Sequence, residues 1–330
     1  MDMTFIALVV AIFLCYVYAF VGGFTDAANA IATSIGSRAL SPRTAVLMAG
    51  FLEIVGALTG TAVALTIGKG IVSLDLINLY TVIGALAGTM TWSLLTYYFG
   101  IPVSETHGLI GGIIGAAISV AGLEVIKWSG LTKILIAIVA SPLLGFSAGA
   151  FLMGLVYRFS HSAPSAKMKP LYKNLQRLSA AFMAFSHGRN DAQKPMGILV
   201  MVLALHYGWK DPKVPLWVIL TIGITAGAGV AYGGWRIIKT LGLKITSLET
   251  EQGFAAETSA ALVLQLASAL GIPVSTTHTI TSSIVGAGSV RRFSAVRWDI
   301  ASDIVISWVL TLPATIFLGW LYMKLLQVIF

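Results

Sequence analysis

Gly100-Ile-Pro-Val-Ser-Glu-Thr-His107 returns 171 residues later as Gly271-Ile-Pro-Val-Ser-Thr-Thr-His278, with seven of eight residues identical. Each copy follows an apolar segment and opens a stretch of small residues, 108–119 and 279–289. A weaker pair lies upstream. Phe24-Thr-Asp-Ala-Ala-Asn-Ala30 aligns with Arg189-Asn-Asp-Ala-Gln-Lys-Pro195, which sets Asp26 against Asp191 at an offset of 165. Two motifs in one order at nearly one spacing indicate an internal duplication. The repeats are assigned to residues 1–158 and 174–330, joined by a short, polar and basic linker at 159–173.

The composition is that of a membrane protein. Apolar residues make up 57% of the chain and charged ones 10%, with 13 Asp and Glu in 330 residues. A soluble domain carries about a quarter charged residues. The runs 4–21, 44–67, 79–99, 134–157, 215–235 and 300–321 reach the roughly 18 to 20 apolar residues that span a bilayer. The first run starts behind Asp2 rather than a basic segment and meets no charged stop before Thr25, so it reads as a retained helix, not a cleaved signal peptide. The single cysteine, Cys15, excludes an internal disulfide and reads as a small packing side chain. A net charge of +8 could attract nucleic acid, but the basic residues fall in short loops between apolar runs. They form no stripe interleaved with aromatics, so the expected partner is the lipid bilayer and not nucleic acid.

Counting 108–120 as a span gives five crossings per half, and an odd number turns the second half upside down. With the central linker placed in the cytoplasm, 13 Lys and Arg fall on the cytoplasmic side. Six fall outside: Lys69, Lys127, Lys133, Lys210, Lys213 and Lys324. The excess of basic residues on the cytoplasmic side therefore favours a cytoplasmic centre and both termini outside. The expected fold is an all-α polytopic membrane protein of two inverted-topology repeats, a recurring plan of secondary transporters. The helices after Pro-Val-Ser are short for full spans, so re-entrant helical hairpins are expected at both motifs.

Asp26 and Asp191 interrupt apolar stretches, and an ionised carboxylate at mid-bilayer costs about 2.5–3.5 kcal/mol unless a cation, partner or water answers it. With Thr25, Asn29 and Asn190 they form an oxygen-rich set suited to a hard cation, and sodium is expected at both aspartates. The alternative is a structural salt bridge, which Arg189 or Lys194 could supply to Asp191; no basic residue lies within ten positions of Asp26. Pro102 and Pro273 end one helix and the following Ser or Thr caps the next. Helix starts favour oxyanions, so Ser104, Thr106, Ser275, Thr276 and Thr277, with Gln193, are the candidate anion ligands. The alternative is ordinary capping. Glu53 and Glu257 are further intramembrane carboxylates at positions the repeat does not relate. His107 and His278 read as structural, and the glycines as aids to close helix packing.

Gly23-Phe-Thr-Asp-Ala-Ala-Asn-Ala-Ile-Ala32, Phe51-Leu-Glu53, Gly188-Arg-Asn-Asp-Ala-Gln-Lys194, Glu257 and both Pro-Val-Ser motifs together resemble the inorganic phosphate transporter (PiT) family. That family includes prokaryotic low-affinity phosphate permeases and animal sodium–phosphate symporters. The resemblance implies a plasma-membrane secondary transporter that imports inorganic phosphate by alternating access, with sodium favoured over a proton, and no other cofactor. It implies that Asp26 and Asp191 bind coupling cations and that the two hairpins surround phosphate. Glu53 and Glu257 are implied to matter for transport, and a homodimer is implied. The chain departs from the family pattern at Thr25, where Asn is common, at Gln193, and in lacking a long central loop. A sulfate permease is the alternative within this class. An intramembrane hydrolase using Ser104 or Ser275 with a nearby His is the alternative outside it, disfavoured because catalysis needs one asymmetric set.

Overall fold

The computed structural model describes residues 3–160 and 164–329. It consists of helices: α1 Met3–Gly36, α2 Pro42–Ala57, α3 Ala62–Gly70, α4 Leu79–Phe99, α5 Glu105–Ala121, α6 Trp128–Ser160, α7 Ser165–Asp191, α8 Gln193–Tyr207, α9 Leu216–Tyr232, α10 Trp235–Lys239, α11 Thr250–Ala269, α12 Thr276–Arg291 and α13 Trp298–Ile329. Among the described residues the only extended pairings are two isolated bridges, Val72 with Ile126 and Thr246 with Val296. Five helices are long and apolar enough to cross a membrane, and two bent pairs raise that to as many as seven. Large apolar side chains such as Phe51, Phe151 and Val309 lie more than 60% exposed, a surface suited to lipid.

The run 44–67, expected as one span, is broken. α2 ends at Ala57 and α3 restarts at Ala62 with a 71° bend. Thr59-Gly60-Thr61 weakens the helix there, and the backbone donors at the start of α3 are taken by a side chain from far away. Gln193 Oε1 accepts from Val63 N at 2.8 Å and Ala64 N at 3.2 Å. A second break separates α7 from α8. Pro195 has no N–H to give to the carbonyl four residues back, at Asp191, so the helix cannot run on unbroken through that carboxylate.

Most of the expected linker is helical. α6 runs to Ser160 and α7 starts at Ser165, so Lys167–Lys173 lies on the first turns of α7. Residues 161–163 fall outside the described residues, as do Met1, Asp2 and Phe330.

The Pro-Val-Ser segments are tips of helical hairpins. α4 ends at Gly100 (φ 68°) and α11 just before Gly271 (φ 67°), left-handed turns that suit glycine. Ser104 Oγ then accepts from His107 N at 3.2 Å, and Ser275 Oγ from His278 N at 3.1 Å, capping α5 and α12. The bridges at Val72–Ile126 and Thr246–Val296 bring each hairpin's two ends together at its base. The tips meet through paired bonds 171 residues apart. Thr106 Oγ1 donates to Val274 O and Thr277 Oγ1 to Val103 O, both at 2.9 Å.

The sequence halves are interleaved in space. α5 packs on α13 and α12 on α6. A Cβ on Gly115 would stand 1.9 Å from Ile316 O, and one on Gly286 2.2 Å from Phe146 O, so glycine is what lets these backbones touch. One core cluster holds Ala7, Val72, Ile126, Leu203 and Met323; the other holds Ile31, Val156, Leu248 and Val296. The two lie along opposite ends of α1, and the first joins the start of α1 to the end of α13. Cys15 is buried in that first cluster.

Candidate functional site

The middle of α1, the α7–α8 break, the first hairpin tip and residues of α2 and α9 line a small cavity. Asp26, Glu53, Glu105, His187, Asp191 and Lys194 line it, with Tyr18 and the Gly22–Gly23 backbone. All six ionisable side chains are buried. One oxygen each of Asp26 and Asp191 and one ring nitrogen of His187 lie within 4.8 Å of one another.

The Asp191 carboxylate is heavily engaged at one oxygen. Oδ2 lies 2.9 Å from Lys194 Nζ and 3.3 Å from His187 Nε2, and accepts from Thr276 Oγ1 at 3.0 Å. The other ring nitrogen of His187 meets Glu53 Oε2 at 2.7 Å, so His187 bridges two carboxylates. The salt-bridge alternative therefore holds at Asp191, through Lys194; Arg189 instead reaches Gln265 Oε1. Asp26 has no basic partner in ion-pair contact among the described residues, and Thr277 Oγ1 donates to its Oδ1 at 3.2 Å. Asn29 Nδ2 donates to Thr276 Oγ1 at 3.2 Å and Thr277 Oγ1 at 3.0 Å, and Asn190 Nδ2 donates to Ser268 Oγ at 3.0 Å.

Among the buried side-chain atoms without a hydrogen-bond partner in the described residues are four oxygens of the expected cation ligands: Asp26 Oδ2, Asn29 Oδ1, Asn190 Oδ1 and Asp191 Oδ1. Buried acceptors are nearly always satisfied. These four are carboxylate and amide oxygens of residues expected from the sequence to hold a cation; His187 Nε2 and Arg189 Nε near them, and the Ser119, Ser141 and Thr281 hydroxyls elsewhere, are also without a hydrogen-bond partner. Four carboxylates against one lysine and one histidine also leave the cavity attractive to cations.

The candidate anion hydroxyls are engaged elsewhere. Ser104 and Ser275 cap helices, Thr106 and Thr277 tie the hairpin tips together, and Thr276 bonds Asp191. None of the five lines the cavity. Gln193 is used on the α3 backbone. Thr25 Oγ1 lies 2.9 Å from Glu105 Oε1. The two glutamates singled out by sequence separate: Glu53 lines the cavity, whereas Glu257 accepts from Thr33 and Ser179 hydroxyls at 2.5 Å, with Gln176 at 3.4 Å. His107 and His278 face each other edge to face at 4.5 Å, and His278 stacks on Trp308. The serine hydroxyls accept from the backbone N–H of these histidines and not from their rings, which leaves the hydrolase reading without a nucleophile–base pair among the described residues.

Glu105 and His187 escaped the sequence reading, and Lys194 entered it only as a counter-charge to Asp191. Glu105, held by Ser93 Oγ at 2.8 Å as well as by Thr25, sits at the one position where the hairpin motifs differ, opposite Thr276. Lys194 is the counterpart of Asn29 at the offset of 165, so the duplication has put a cation where the first half has an amide. His187 precedes Asp191 by one helical turn. In each case the signal was a break in the internal symmetry or a helical spacing, and not a motif.

A family model described as the phosphate transporter family matches residues 22–319. The chain is 44% identical over 298 residues to a protein of Rhizobium meliloti (strain 1021) described as a probable low-affinity inorganic phosphate transporter, covering 89% of each. It is 38% identical over 340 residues, the full length of both, to a Bacillus subtilis (strain 168) protein with the same description. Among solved structures, one titled the sodium-dependent phosphate transporter superposes with a TM-score of 0.89 at 27% identity, covering 98% of this chain and all of the other.

Proposed function

This chain belongs to the phosphate transporter family, and from that premise we propose that it imports inorganic phosphate in symport with a cation, sodium in preference to a proton. The observation that carries the cation is the set of four unpartnered buried oxygens on Asp26, Asn29, Asn190 and Asp191. The sodium dependence named for the similar solved structure supports sodium as its identity.

Coupling follows from charge. Two carboxylates with oxygens no more than 4.8 Å apart repel by at least roughly 3 kcal/mol at an effective dielectric of 20. A phosphate dianion added to them meets the same sign. Cations at Asp26 and Asp191 reverse the local potential, so phosphate binds well only after they do. Lys194 then offers a fixed donor for one phosphate oxygen, while Glu105 or Glu53 accepts the proton that phosphate keeps near neutral pH and sulfate lacks. The same carboxylates give the site a reason to prefer phosphate over sulfate.

Alternating access would use the duplication. Hairpins entering from opposite faces, with tips tied by two equivalent hydrogen bonds, form a gate that an inverted repeat can rock about. In this reading both termini face outward at the cell membrane, the α6–α7 junction is cytoplasmic, and the transporter works as a homodimer.

Radiolabelled phosphate uptake into proteoliposomes, with sodium and proton gradients imposed separately and sulfate as competitor, tests this function. An inward sodium gradient is expected to drive concentrative uptake that excess sulfate barely inhibits. Uptake driven equally well by a proton gradient without sodium would assign the coupling to protons instead.

A further inference from the structure

A second concentration of charge lies at the end of the molecule that holds the start of α1 and the end of α13. Lys69 on the last turn of α3, Lys127 just before α6 and Lys133 on α6 line an open cleft. Gly271, Ile272 and Pro273, the lead-in to the second hairpin tip, line it too. An adjoining cavity shares Lys69 and Lys127 and adds Lys210, with Asp75 as its one acidic lining residue.

The ammonium groups keep donors to spare. Lys127 Nζ donates to Lys69 O at 2.9 Å, and Lys69 Nζ pairs with the exposed Asp211 at 2.8 Å, each using one of three N–H donors. Lys133 is exposed on α6 and has no ionic partner among the described residues. Four lysines against Asp75 and Asp211 leave the cleft net positive.

The fold accounts for one of these lysines and not for the other two. The bridges pair Ile126 with Val72 and Val296 with Thr246, which sets Lys127 against Arg297, and each reaches a backbone carbonyl across its bridge, Lys69 O and Leu243 O. By the same pairing Lys69 and Lys133 answer to Leu243 and Asp303, so the second half forms the same hairpin base without them. They also stand at the end poorer in basic residues, against the trend that sets orientation. The cleft wall lies close to the buried site: Thr66 Oγ1 donates to Gly271 O at 2.8 Å, and Pro273 is three residues from Thr276, which bonds Asp191. Three residues reach no more than about 10 Å.

We propose that this lysine cleft is a phosphate-group subsite outside the buried site, holding a phosphoryl oxyanion near the second hairpin. Two sources share that chemistry: inorganic phosphate on its way inward, and the headgroup of an anionic phospholipid. Inorganic phosphate as the ligand rests on the transport reading above, whereas the subsite itself does not. Such a ring of charge concentrates anions and loses that effect as salt rises.

The test is lysine reactivity of the full chain in detergent, read peptide by peptide after a pulse of an amine-acylating reagent. Millimolar inorganic phosphate, against chloride at equal ionic strength, is expected to protect Lys127 and Lys133 by about threefold, and the effect should fade at high salt. Protection by phosphatidylglycerol in mixed micelles and not by free phosphate would keep the subsite and assign it to lipid. Protection by neither would overturn it. In phosphatidylcholine vesicles, Lys133→Gln, a change at an exposed position, should raise the KM for phosphate about two- to fivefold at low ionic strength only, if free phosphate is the ligand. An unchanged KM would leave lipid as the ligand where phosphatidylglycerol protects the lysines, and would overturn the subsite where it does not. Wild-type vesicles that take up no phosphate would sink the transport reading while leaving the protection result intact.

Discussion

Asp26→Asn is expected to abolish phosphate uptake while leaving the protein folded and inserted. The substitution keeps the shape of the side chain and can still accept the hydrogen bond that Thr277 Oγ1 donates to Oδ1. What it removes is the negative charge and the unpartnered Oδ2, and it puts an amide N–H₂ where a cation would bind. With no basic side chain in contact with Asp26 there is no stranded partner, so the folding cost should be small. Uptake should fall by on the order of 100-fold, near the upper end of what a coupling free energy of about 3 kcal/mol can supply. Initial rates in proteoliposomes, normalised to inserted protein, measure this directly. Asp191→Asn should be as inactive but less stable, because it strands Lys194 and His187. Normal uptake by both variants would contradict the assignment.

Lys194→Met is expected to carry the second large effect, on stability. Lys194 is buried, 2.9 Å from Asp191 Oδ2, and it faces a cavity holding three further carboxylates. Removing one partner of a buried ion pair leaves an uncompensated charge and costs about 3–5 kcal/mol. Met keeps most of the aliphatic stem, so the loss isolates the charge. The thermal midpoint in detergent should drop by several degrees, and sodium should recover more of it in the variant than in the wild type, since an added cation takes over part of the lysine's task. Equal midpoints in sodium-free buffer would show that Lys194 does not neutralise Asp191.

These two residues also mark what the sequence could and could not convey. Asp26 and Asp191 were legible because a carboxylate inside an apolar run is costly whatever surrounds it. The hairpin tips were legible because Pro and Ser act locally, and α4 occupies Leu79–Phe99 as read from the run of apolar residues. The break between α2 and α3 was not, since the donors of Val63 and Ala64 are satisfied by Gln193, some 130 residues away. For the same reason Gln193 read as an anion ligand when it is a helix cap. The hydroxyls at the tips were ambiguous in principle: a Ser or Thr at a helix start satisfies a ligand or its own backbone equally well, and here the protein takes most of that capacity. Lys194 was weighed only as a counter-charge and Glu105 not at all, because their meaning depends on which side chains the other half of the chain brings beside them.

The most direct measurement of the central claim is reciprocal binding of phosphate and sodium to the purified protein, with Asp26→Asn as the reference. If Asp26, Asn29, Asn190 and Asp191 hold the cation that admits phosphate, raising sodium should tighten phosphate about tenfold or more, and phosphate should tighten sodium by the same factor. Asp26→Asn should lose both effects. Phosphate affinity independent of sodium in the wild type, or an undiminished linkage in Asp26→Asn, would contradict the account.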